Sequence, residues 1–331
     1  MTCTSGDNVR QRWLPKLHNE PLTTVAIITR NRPRLLEECL YSISTATYPR
    51  KEILVVDSSS PRLARKMENL AREYQCRYVH ESRRGRVIAR NTALRESKGE
   101  IIAFVDDDCV VHPEWLGRLV RNYTTPSIAC VTGRILPKST KKVTALGDFF
   151  DMDFGPNRHV YTKHSTSKTI LKLVSIGMTT GPLGQRAPFP WGMGSGANMS
   201  IRKEILKATG LFDLNLWPDY PGEDLDMHIR ILDTGFQLVY EPTALVYHEY
   251  GLSDKRTWPG ELAYRHGVGT GTLLLKYVSD PYFFALYFGR IFNVLYQIVR
   301  GIFRRDKEYC VIRCSYLRGL LYGLRLWLSD I

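Results

Sequence analysis

The sequence predicts an α/β fold in which a mostly parallel β-sheet is covered by helices on both faces. Three observations support this. Short apolar runs alternate with helix-like patterns over residues 23–134, as in successive strand–helix–strand units. Each apolar run ends in polar residues, as strands do when their carboxyl ends form a ligand-binding edge. The 331-residue chain is 44% hydrophobic and 24% charged, a globular composition that excludes collagen, coiled coils and wholesale disorder.

Four strands and three helices are expected in the first segment. Pro33 and Pro61 can each occupy the first turn of a helix, where a missing N–H costs nothing. The helix after Pro61 is expected to end near Tyr74, and a third helix is expected from Gly85 to Arg95. The short, apolar runs between them are typical of buried strands. These runs are residues 24–29, 52–57, 78–80 and 101–105.

The second half of the chain is less regular. Residues 138–190 show little periodicity and predict a variable, partly mobile excursion. Order is expected to return at residues 194–200 and to continue with a helix from Lys203, a helix over 223–233, and strands over 237–240 and 244–247. The chain is therefore divided into four predicted parts. These are an extension over 1–22, two halves of one domain over 23–137 and 138–252, and a helical region over 253–331.

The net charge and the cysteine content limit the classes of binding partner and the cellular compartment that are expected. Forty-six Lys and Arg residues against 33 Asp and Glu residues give a net charge of +13, which favours nucleic acid, an anionic membrane or phosphorylated substrates. The seven cysteines contain no CxxC pair, so neither a disulfide framework nor a zinc knuckle is expected. Residues 1–16 lack the apolar core of a secretory signal. A cytoplasmic protein is expected.

Three consecutive carboxylates follow the fourth predicted strand. Asp106, Asp107 and Asp108 would repel one another unless a cation neutralises them, so the run indicates a divalent-metal and ribose site. Asp106 and Asp108 share a face of an extended backbone. One could meet a ribose hydroxyl while the other holds Mg²⁺ or Mn²⁺. The alternative is an acidic loop that caps a helix beginning near Pro113.

A second acidic pair stands at the start of the helix predicted over 223–233. Glu223 and Asp224 follow Pro221 and Gly222, where a carboxylate stabilises the positive helix end. Either they cap the helix, or an unpaired carboxylate acts as a general base. Asp226 and Arg230, four residues apart, are expected to form a structural helix pair.

Basic residues cluster around the start of the third helix. Arg84 and Arg90, with two further arginines, flank Gly85 and could bind phosphate oxygens beside a helix N-terminus. The alternative is a solvated basic loop. Asn91 could hydrogen-bond a base or the preceding loop, and His248 follows the last predicted strand, where a neutral imidazole could be a metal ligand.

Taken together, these segments resemble the family 2 glycosyltransferases, nucleotide-sugar enzymes with the GT-A fold, over roughly residues 23–251. The matching stretches are residues 25–32, 53–60, 84–91, 99–108, 196–199 and 222–226. Two departures stand out. Ser58, Ser59 and Ser60 replace the more usual Asn-Gly-Ser, and no Gln-x-x-Arg-Trp sequence or set of long membrane spans is present. A single-sugar transferase is therefore favoured over a processive synthase.

The resemblance implies an inverting, metal-assisted transfer with Mn²⁺ or Mg²⁺, in which residues 23–137 bind the donor and 138–252 bind the acceptor. Asp224 would deprotonate the acceptor hydroxyl with Glu223 beside it. The implied metal ligands are Asp108, Asp106 and His248. The implied nucleotide-sugar contacts are Thr29, Arg30, Asp57, Arg84, Gly85, Arg90, Asn91, Asp106, Asp107, Gly196, Ala197 and Asn198.

Two alternatives to a glycosyltransferase remain open. One is a non-catalytic nucleic-acid or membrane-binding protein on the same fold, and the other is a sugar nucleotidyltransferase. Clustered carboxylates at one sheet edge would repel phosphate backbones, and no nucleic-acid motif is present, so no nucleic-acid partner is expected. A nucleotidyltransferase would carry a glycine-rich run after the first strand, where this chain has Thr29, Arg30, Asn31 and Arg32.

The C-terminal region predicts amphipathic helices at a membrane surface. Over residues 281–303, Arg290, Asn293, Gln297 and Arg300 recur at helical spacing within an aromatic-rich apolar stretch. This pattern is typical of a helix that lies in the interface, because polar residues near the middle of a span are costly. Eight basic against three acidic residues over 281–331 favour the anionic inner face of the cell membrane.

A second apolar helix is predicted over residues 311–328. If the C-terminal helices lie at the membrane surface, a lipid-linked or membrane-bound glycan acceptor is expected. The alternative is that both helices pack on the catalytic domain or form a homodimer, since wide apolar faces also make protein interfaces.

Overall fold

The computed structural model describes residues 17, 20–138, 158–161, 195–216, 222–249, 259–277, 279 and 281–329. The strands are β1 (Thr23–Thr29), β2 (Lys51–Asp57), β3 (Arg77–His80), β4 (Ile101–Asp106), β5 (Cys109–Val111), β6 (Ile128–Pro137), β7 (His159–Tyr161), β8 (Asn198–Arg202) and β9 (Gln237–His248). The helices are α1 (Pro33–Ser44), α2 (Pro61–Glu73), α3 (Arg86–Glu96), α4 (Trp115–Val120), α5 (Leu206–Thr209, after a 3₁₀ turn at Lys203–Ile205), α6 (Glu223–Asp233), α7 (Pro259–Lys276), α8 (Pro281–Phe303) and α9 (Lys307–Ser329).

The strands form one mixed sheet in the order β3-β2-β1-β4-β8-β6-β9-β5, with β7 beside β9. Strands β1 to β4, β6 and β9 run in one direction, and β5, β7 and β8 run against them. The parallel block arises because α1, α2 and α3 return the chain to the same edge after each strand. The predicted mixed, mostly parallel sheet is confirmed.

Two apolar cores cover the two faces of the sheet. Along β1, Val25 and Ile27 enter one core with α1, α2 and α4, whereas Ala26 between them enters the other core with α3 and α6. Successive side chains on a strand point to opposite faces, so a strand that is apolar at every position is buried on both sides. The prediction of helices on both faces is confirmed.

Two strands differ from the expectation. The structure adds β5 directly after the aspartate run, and β9 is one twelve-residue strand rather than two. The interruption expected around Pro242 appears as a register shift, because Gly133 pairs with Glu241 while Arg134 pairs with Leu245. A proline that lacks an N–H is tolerated at such an irregularity. Of the excursion predicted over 138–190, the structure describes only 138 and 158–161; the rest lies outside the described residues.

The C-terminal region contains three helices, of which α7 was not predicted. α7 packs closely on α9 through glycines at 267 and 271 on one helix and 319 and 323 on the other. A Cβ added at Gly267 would lie 2.2 Å from the Tyr316 carbonyl, and one at Gly319 would lie 2.1 Å from the Tyr264 carbonyl. Small residues therefore let the two backbones approach each other.

Helix α8 presents its apolar side chains outward. Phe292 is 67% exposed and Phe303 is 84% exposed. The inward side carries polar contacts, since Arg290 Nε donates to Tyr316 Oη on α9 at 3.1 Å. The exposed apolar side chains of α8 are Phe284, Phe288, Phe292, Leu295, Tyr296, Val299, Ile302 and Phe303; this set is called the α8 apolar face below. Among the described residues, no helix is both long enough and apolar enough to cross a bilayer.

Candidate active site

The end of β4 and the end of β9 bring a carboxylate and an imidazole together. The chain leaves β4 at Asp106 and re-enters the sheet as β5, whose first residue, Cys109, pairs with His248 of β9. This antiparallel register places His248 Nε2 3.2 Å from Asp108 Oδ1. Ligand atoms of Asp108, Cys109 and His248 all lie within 4.8 Å of one another.

The chemistry of these three groups fits a divalent cation bound by Asp108 and His248. Carboxylate and imidazole are accepted ligands of Mn²⁺. The Cys109 side chain belongs to the apolar core instead, and burial raises the pKa of its thiol well above the usual range. Asp106, predicted as a ligand, is not part of this group in the portion of the chain that the structure describes; its Oδ1 lies 3.5 Å from Arg90 Nη2.

Arg32 neutralises the aspartate run and was not among the predicted site residues. Its Nη1 lies 3.1 Å from Asp107 Oδ1 and 3.2 Å from Asp108 Oδ2. The other oxygen of Asp107 accepts a hydrogen bond of 2.7 Å from Thr29 Oγ1. Burial raises the pKa of Asp107, against the opposing effect of Arg32. The available signal was the position of Arg32 immediately after the first strand, at the same sheet edge.

The expected base-binding residues lie at the end of β1 and β2. Asp57 is fully buried; its Oδ1 accepts from the Ser59 N–H at 2.8 Å and its Oδ2 from Tyr78 Oη at 2.8 Å. Asn31 contacts the same turn, because its backbone N–H donates a hydrogen bond of 2.7 Å to Ser59 Oγ. Asp57 therefore shapes the turn that replaces the more usual Asn-Gly-Ser, while Arg30 beside it is exposed.

The side chain of Arg90, a predicted phosphate contact, is buried. It is 2% exposed, 3.1 Å from Glu223 Oε1, and its guanidinium lies 5.7 Å from the centre of the Phe104 ring. A Cβ added at Gly196 would lie 2.1 Å from Arg90 Nη1, so a larger residue at position 196 would require the Arg90 side chain to shift. In the structure Arg90 is a buried link between Asp106 and the start of α6; its contact with the donor phosphate stays a prediction.

Asp224 is the better candidate for a base at the start of α6. Its Oδ2 accepts from the Gly196 N–H at 2.8 Å. Burial raises the pKa of Asp224, but the charges of Arg90 and His228 and the Gly196 hydrogen bond outweigh it, so the pKa is lowered and the carboxylate is ionised. Glu223 is 2% exposed and lies between Arg90 and Arg86, whose Nε is 2.9 Å away. Its charge is already paired.

Asn91 and Asn198, two predicted donor contacts, hydrogen-bond other parts of the protein in the structure. Asn91 and the Phe212 backbone exchange two hydrogen bonds, of 2.8 and 2.9 Å. Asn198 accepts from Trp115 Nε1 at 2.8 Å and donates to the carbonyls of Arg134 at 3.0 Å and Ala244 at 2.9 Å. Buried amides satisfied in this way join backbone segments. The donor contacts predicted for these two residues stay predictions.

The remaining predicted contacts lie on backbone turns. Gly85 has φ 143°, a conformation that favours glycine, and it precedes α3. Arg84 beside it is exposed, and Ala197, 1% exposed, continues the Gly196 segment into β8. The turn before α3 and the turn before β8 are joined by the Arg90 side chain, which starts on α3 and reaches Gly196.

Helix α7 braces the helix that carries Asp224. Asp226, fully buried, is 2.8 Å from Arg230 Nε, as the helix spacing predicted. It also accepts hydrogen bonds of 2.6 Å from Lys276 Nζ at the end of α7 and of 2.6 Å from Tyr277 Oη. Sequence spacing carries no signal for these two contacts, which span about fifty residues. The C-terminal region is therefore part of the support of the site.

Comparison with known proteins identifies the family of the chain. Residues 24–208 match the family described as glycosyl transferase family 2. Glycosyltransferase AglE of Haloferax volcanii is 27% identical over 239 residues, covering 69% of this chain and 67% of that protein. Pre-mycofactocin glycosyltransferase of Mycobacterium tuberculosis is 25% identical over 193 residues, covering 57% of this chain but 35% of that protein.

Among solved structures, a mannosyltransferase from Pyrobaculum calidifontis in complex with GDP-mannose and Mn²⁺ superposes with a TM-score of 0.61. The match covers 95% of this chain and 92% of the other at 17% identity. This likeness establishes the GT-A fold. Since the family match covers more than half of the chain, the protein belongs to glycosyl transferase family 2, as the six matching stretches taken together predicted.

Proposed function

We propose that this protein transfers a single sugar from a nucleotide-sugar donor to a hydroxyl group of a lipid-linked or membrane-bound glycan, with inversion and with the help of a divalent cation. The observation that carries the proposal is the Arg90 link. Arg90 lies between Asp106, at the end of β4, and Glu223, next to Asp224. One side chain thus joins a donor-side carboxylate to the residue next to the candidate base.

In this mechanism Asp224 takes the proton of the acceptor hydroxyl while that oxygen forms a bond to the anomeric carbon. The bond from the anomeric carbon to the diphosphate oxygen breaks, and the diphosphate leaves with the electron pair. Attack opposite the leaving group inverts the anomeric centre, as in single-displacement glycosidases. Asp108 and His248 would hold a divalent cation, which would supply positive charge to the leaving diphosphate.

The divided roles of the domain halves follow from the same proposal. Residues 23–137 carry Asp57 and the aspartate run and would bind the donor, and residues 138–252 carry Asp224 and would bind the acceptor. The low pKa of Asp224 keeps it ionised at neutral pH. Glu223, paired with Arg86 and Arg90, would hold the start of α6 in place.

A donor panel tests the reaction. The full chain is incubated with Mn²⁺, a nucleotide sugar and a membrane lipid extract, starting with GDP-mannose because the solved mannosyltransferase holds that donor. Products are read by mass spectrometry. Asp224→Asn should lower transfer by about 10² or more, whereas the control Asp306→Asn changes an exposed cap of α9 and should leave transfer unchanged. Transfer that survives Asp224→Asn would assign the proton to another group.

The acceptor class is inferred from the α8 apolar face. The protein orients the apolar residues of an amphipathic helix outward, and Arg304, Arg305 and Lys307 are exposed beside its end. An apolar strip next to cations fits the boundary of an anionic bilayer. A lipid-linked acceptor would then be presented at the surface to which the enzyme binds.

Flotation with vesicles of phosphatidylcholine and phosphatidylglycerol tests this surface. Wild-type protein should float, and the double variant Phe292→Ser with Ile302→Ser should remain at the bottom. Tyr41→Ser is the control, since Tyr41 is 64% exposed on α1. A wild-type protein that never floats and runs as a dimer in solution would assign the face to self-association.

A further inference from the structure

Arg32 occupies the place where a cation is needed at the aspartate run. It stands between β1 and α1, with its side chain 35% exposed. Its Nη1 bridges Asp107 Oδ1 at 3.1 Å and Asp108 Oδ2 at 3.2 Å. The side chains of Asp107 and Asp108 are only 5% and 8% exposed, so two nearly buried carboxylates share one cation that itself reaches solvent.

The two oxygens of Asp108 face different side chains. Oδ2 faces Arg32, and Oδ1 faces His248 Nε2 at 3.2 Å. A neutral imidazole can itself ligate a metal, so His248 need not leave when a cation arrives. A guanidinium has no lone pair to offer and stays charged. Arg32 is therefore the group that competes with a divalent cation for the charge of Asp108.

The charges decide which form of the metal can displace Arg32. A free divalent cation would have to compete with a guanidinium already paired to the carboxylates, and would leave that guanidinium without a counter-ion. A metal–nucleoside diphosphate complex brings phosphate oxygens, which bind guanidinium groups in charge-assisted pairs. Arg32 could then exchange carboxylate partners for phosphate partners without losing its compensation.

We infer that Arg32 is an exchangeable counter-ion, which holds Asp107 and Asp108 until a metal–nucleoside diphosphate complex arrives and then pairs with the diphosphate. The inference rests on the proposed donor site. It makes the cation enter together with the nucleotide. Arg32 weakens the binding of the metal alone and strengthens the binding of the complex, two effects of opposite sign from one side chain.

The test measures Mn²⁺ binding to the full chain by electron paramagnetic resonance, first with MnCl₂ alone and then with MnCl₂ plus GDP or UDP. Arg32→Gln should tighten the binding of Mn²⁺ alone on the order of tenfold and weaken nucleoside diphosphate binding in its presence by a similar factor. Arg32→Lys keeps the charge and should restore the weak binding of Mn²⁺ alone.

Arg34→Gln is the matched control. Arg34 lies two residues further on, is 89% exposed and pairs with Glu38 on the same helix, so its removal changes the net charge equally without touching the aspartates. It should leave both affinities within about twofold. A thermal unfolding scan of a separate sample of the Arg32→Gln protein excludes a folding defect. Such a defect would lower both affinities together.

Two results would overturn the inference. One is Arg32→Gln binding Mn²⁺ alone no more tightly than wild type, and the other is both affinities falling in parallel. A wild-type protein that binds Mn²⁺ but no nucleoside diphosphate would refute the donor site of the proposed function and the phosphate half of this inference. The MnCl₂ arm would still decide, separately, whether Arg32 competes with the metal.

Discussion

Replacing Arg90 by alanine removes a cation that is buried between Asp106 and Glu223. Arg90 and Glu223 are each 2% exposed, and their charged atoms lie 3.1 Å apart. Breaking a buried pair by deleting one partner typically costs about 3–5 kcal/mol, because the other charge stays buried. The loss of the Phe104 and Phe212 ring contacts acts in the same direction. We expect Arg90→Ala to lower the unfolding free energy by about 4 kcal/mol.

The control is Arg86→Ala. Arg86 also pairs with Glu223, at 2.9 Å, but its side chain is 39% exposed, so solvent screening should limit its cost to about 1 kcal/mol. Urea denaturation followed by circular dichroism gives both values from the midpoints at a common slope. The combination Arg90→Met with Glu223→Gln removes both buried charges and should recover part of the loss.

An equal loss for Arg86→Ala and Arg90→Ala would refute this reasoning, since it would mean that burial does not set the strength of the Glu223 pairs. The second criterion is whether the double variant Arg90→Met with Glu223→Gln regains part of the lost unfolding free energy. A double variant that is less stable than Arg90→Ala alone would show that the cost comes from the cavity and not from the uncompensated carboxylate.

Two further predictions concern the helices and the loop before α3. Gly319→Ala should lower the unfolding free energy by about 1–3 kcal/mol through overpacking against α7. Gly289→Ala should be neutral or stabilising in thermal unfolding, because nothing lies within 4 Å of the added Cβ. Equal effects of the two substitutions would contradict the close α7–α9 contact. Hydrogen bonds from Arg83 lower the pKa of Glu81 to about 2, so the stability that this carboxylate contributes is present above its unfolded pKa and is lost as pH falls towards 2. Glu81→Gln should therefore be less stable than wild type at pH 7 and equally stable near pH 2 in urea titrations; a deficit independent of pH would contradict this.

The parallel half of the fold and the acidic part of the site were readable from the sequence. Strands such as β1 are buried on both faces and therefore apolar throughout, and Pro33 and Pro61 mark where their helices begin. The aspartate run and the Glu223–Asp224 pair were recognisable because their residues are adjacent in the chain. Local patterns of this kind are set by backbone geometry and by short-range repulsion between like charges.

Partnerships between distant residues were not readable. Arg90 and Arg32 are both arginines near an expected phosphate site. In the structure Arg90 is buried and pairs with Glu223, whereas Arg32 pairs with Asp107, 75 residues away. Asn91 and Asn198 hydrogen-bond backbone groups far along the chain, contacts that the sequence did not indicate. A side chain's role depends on burial, and burial is decided by which elements pack around it.

The C-terminal region shows the same division. Its spacing of polar residues predicted the amphipathic helix α8, but not that Arg290 would bond inward to Tyr316 while Phe292 and Phe303 remain exposed. The hydrogen bonds from Lys276 and Tyr277 to Asp226 were equally invisible. The sequence by itself determined which segments form strands and helices and where the acidic groups lie along them, because those depend on neighbouring residues. Only the tertiary structure decided which charges are paired, because ion pairing depends on distances between residues that the chain brings together from far apart.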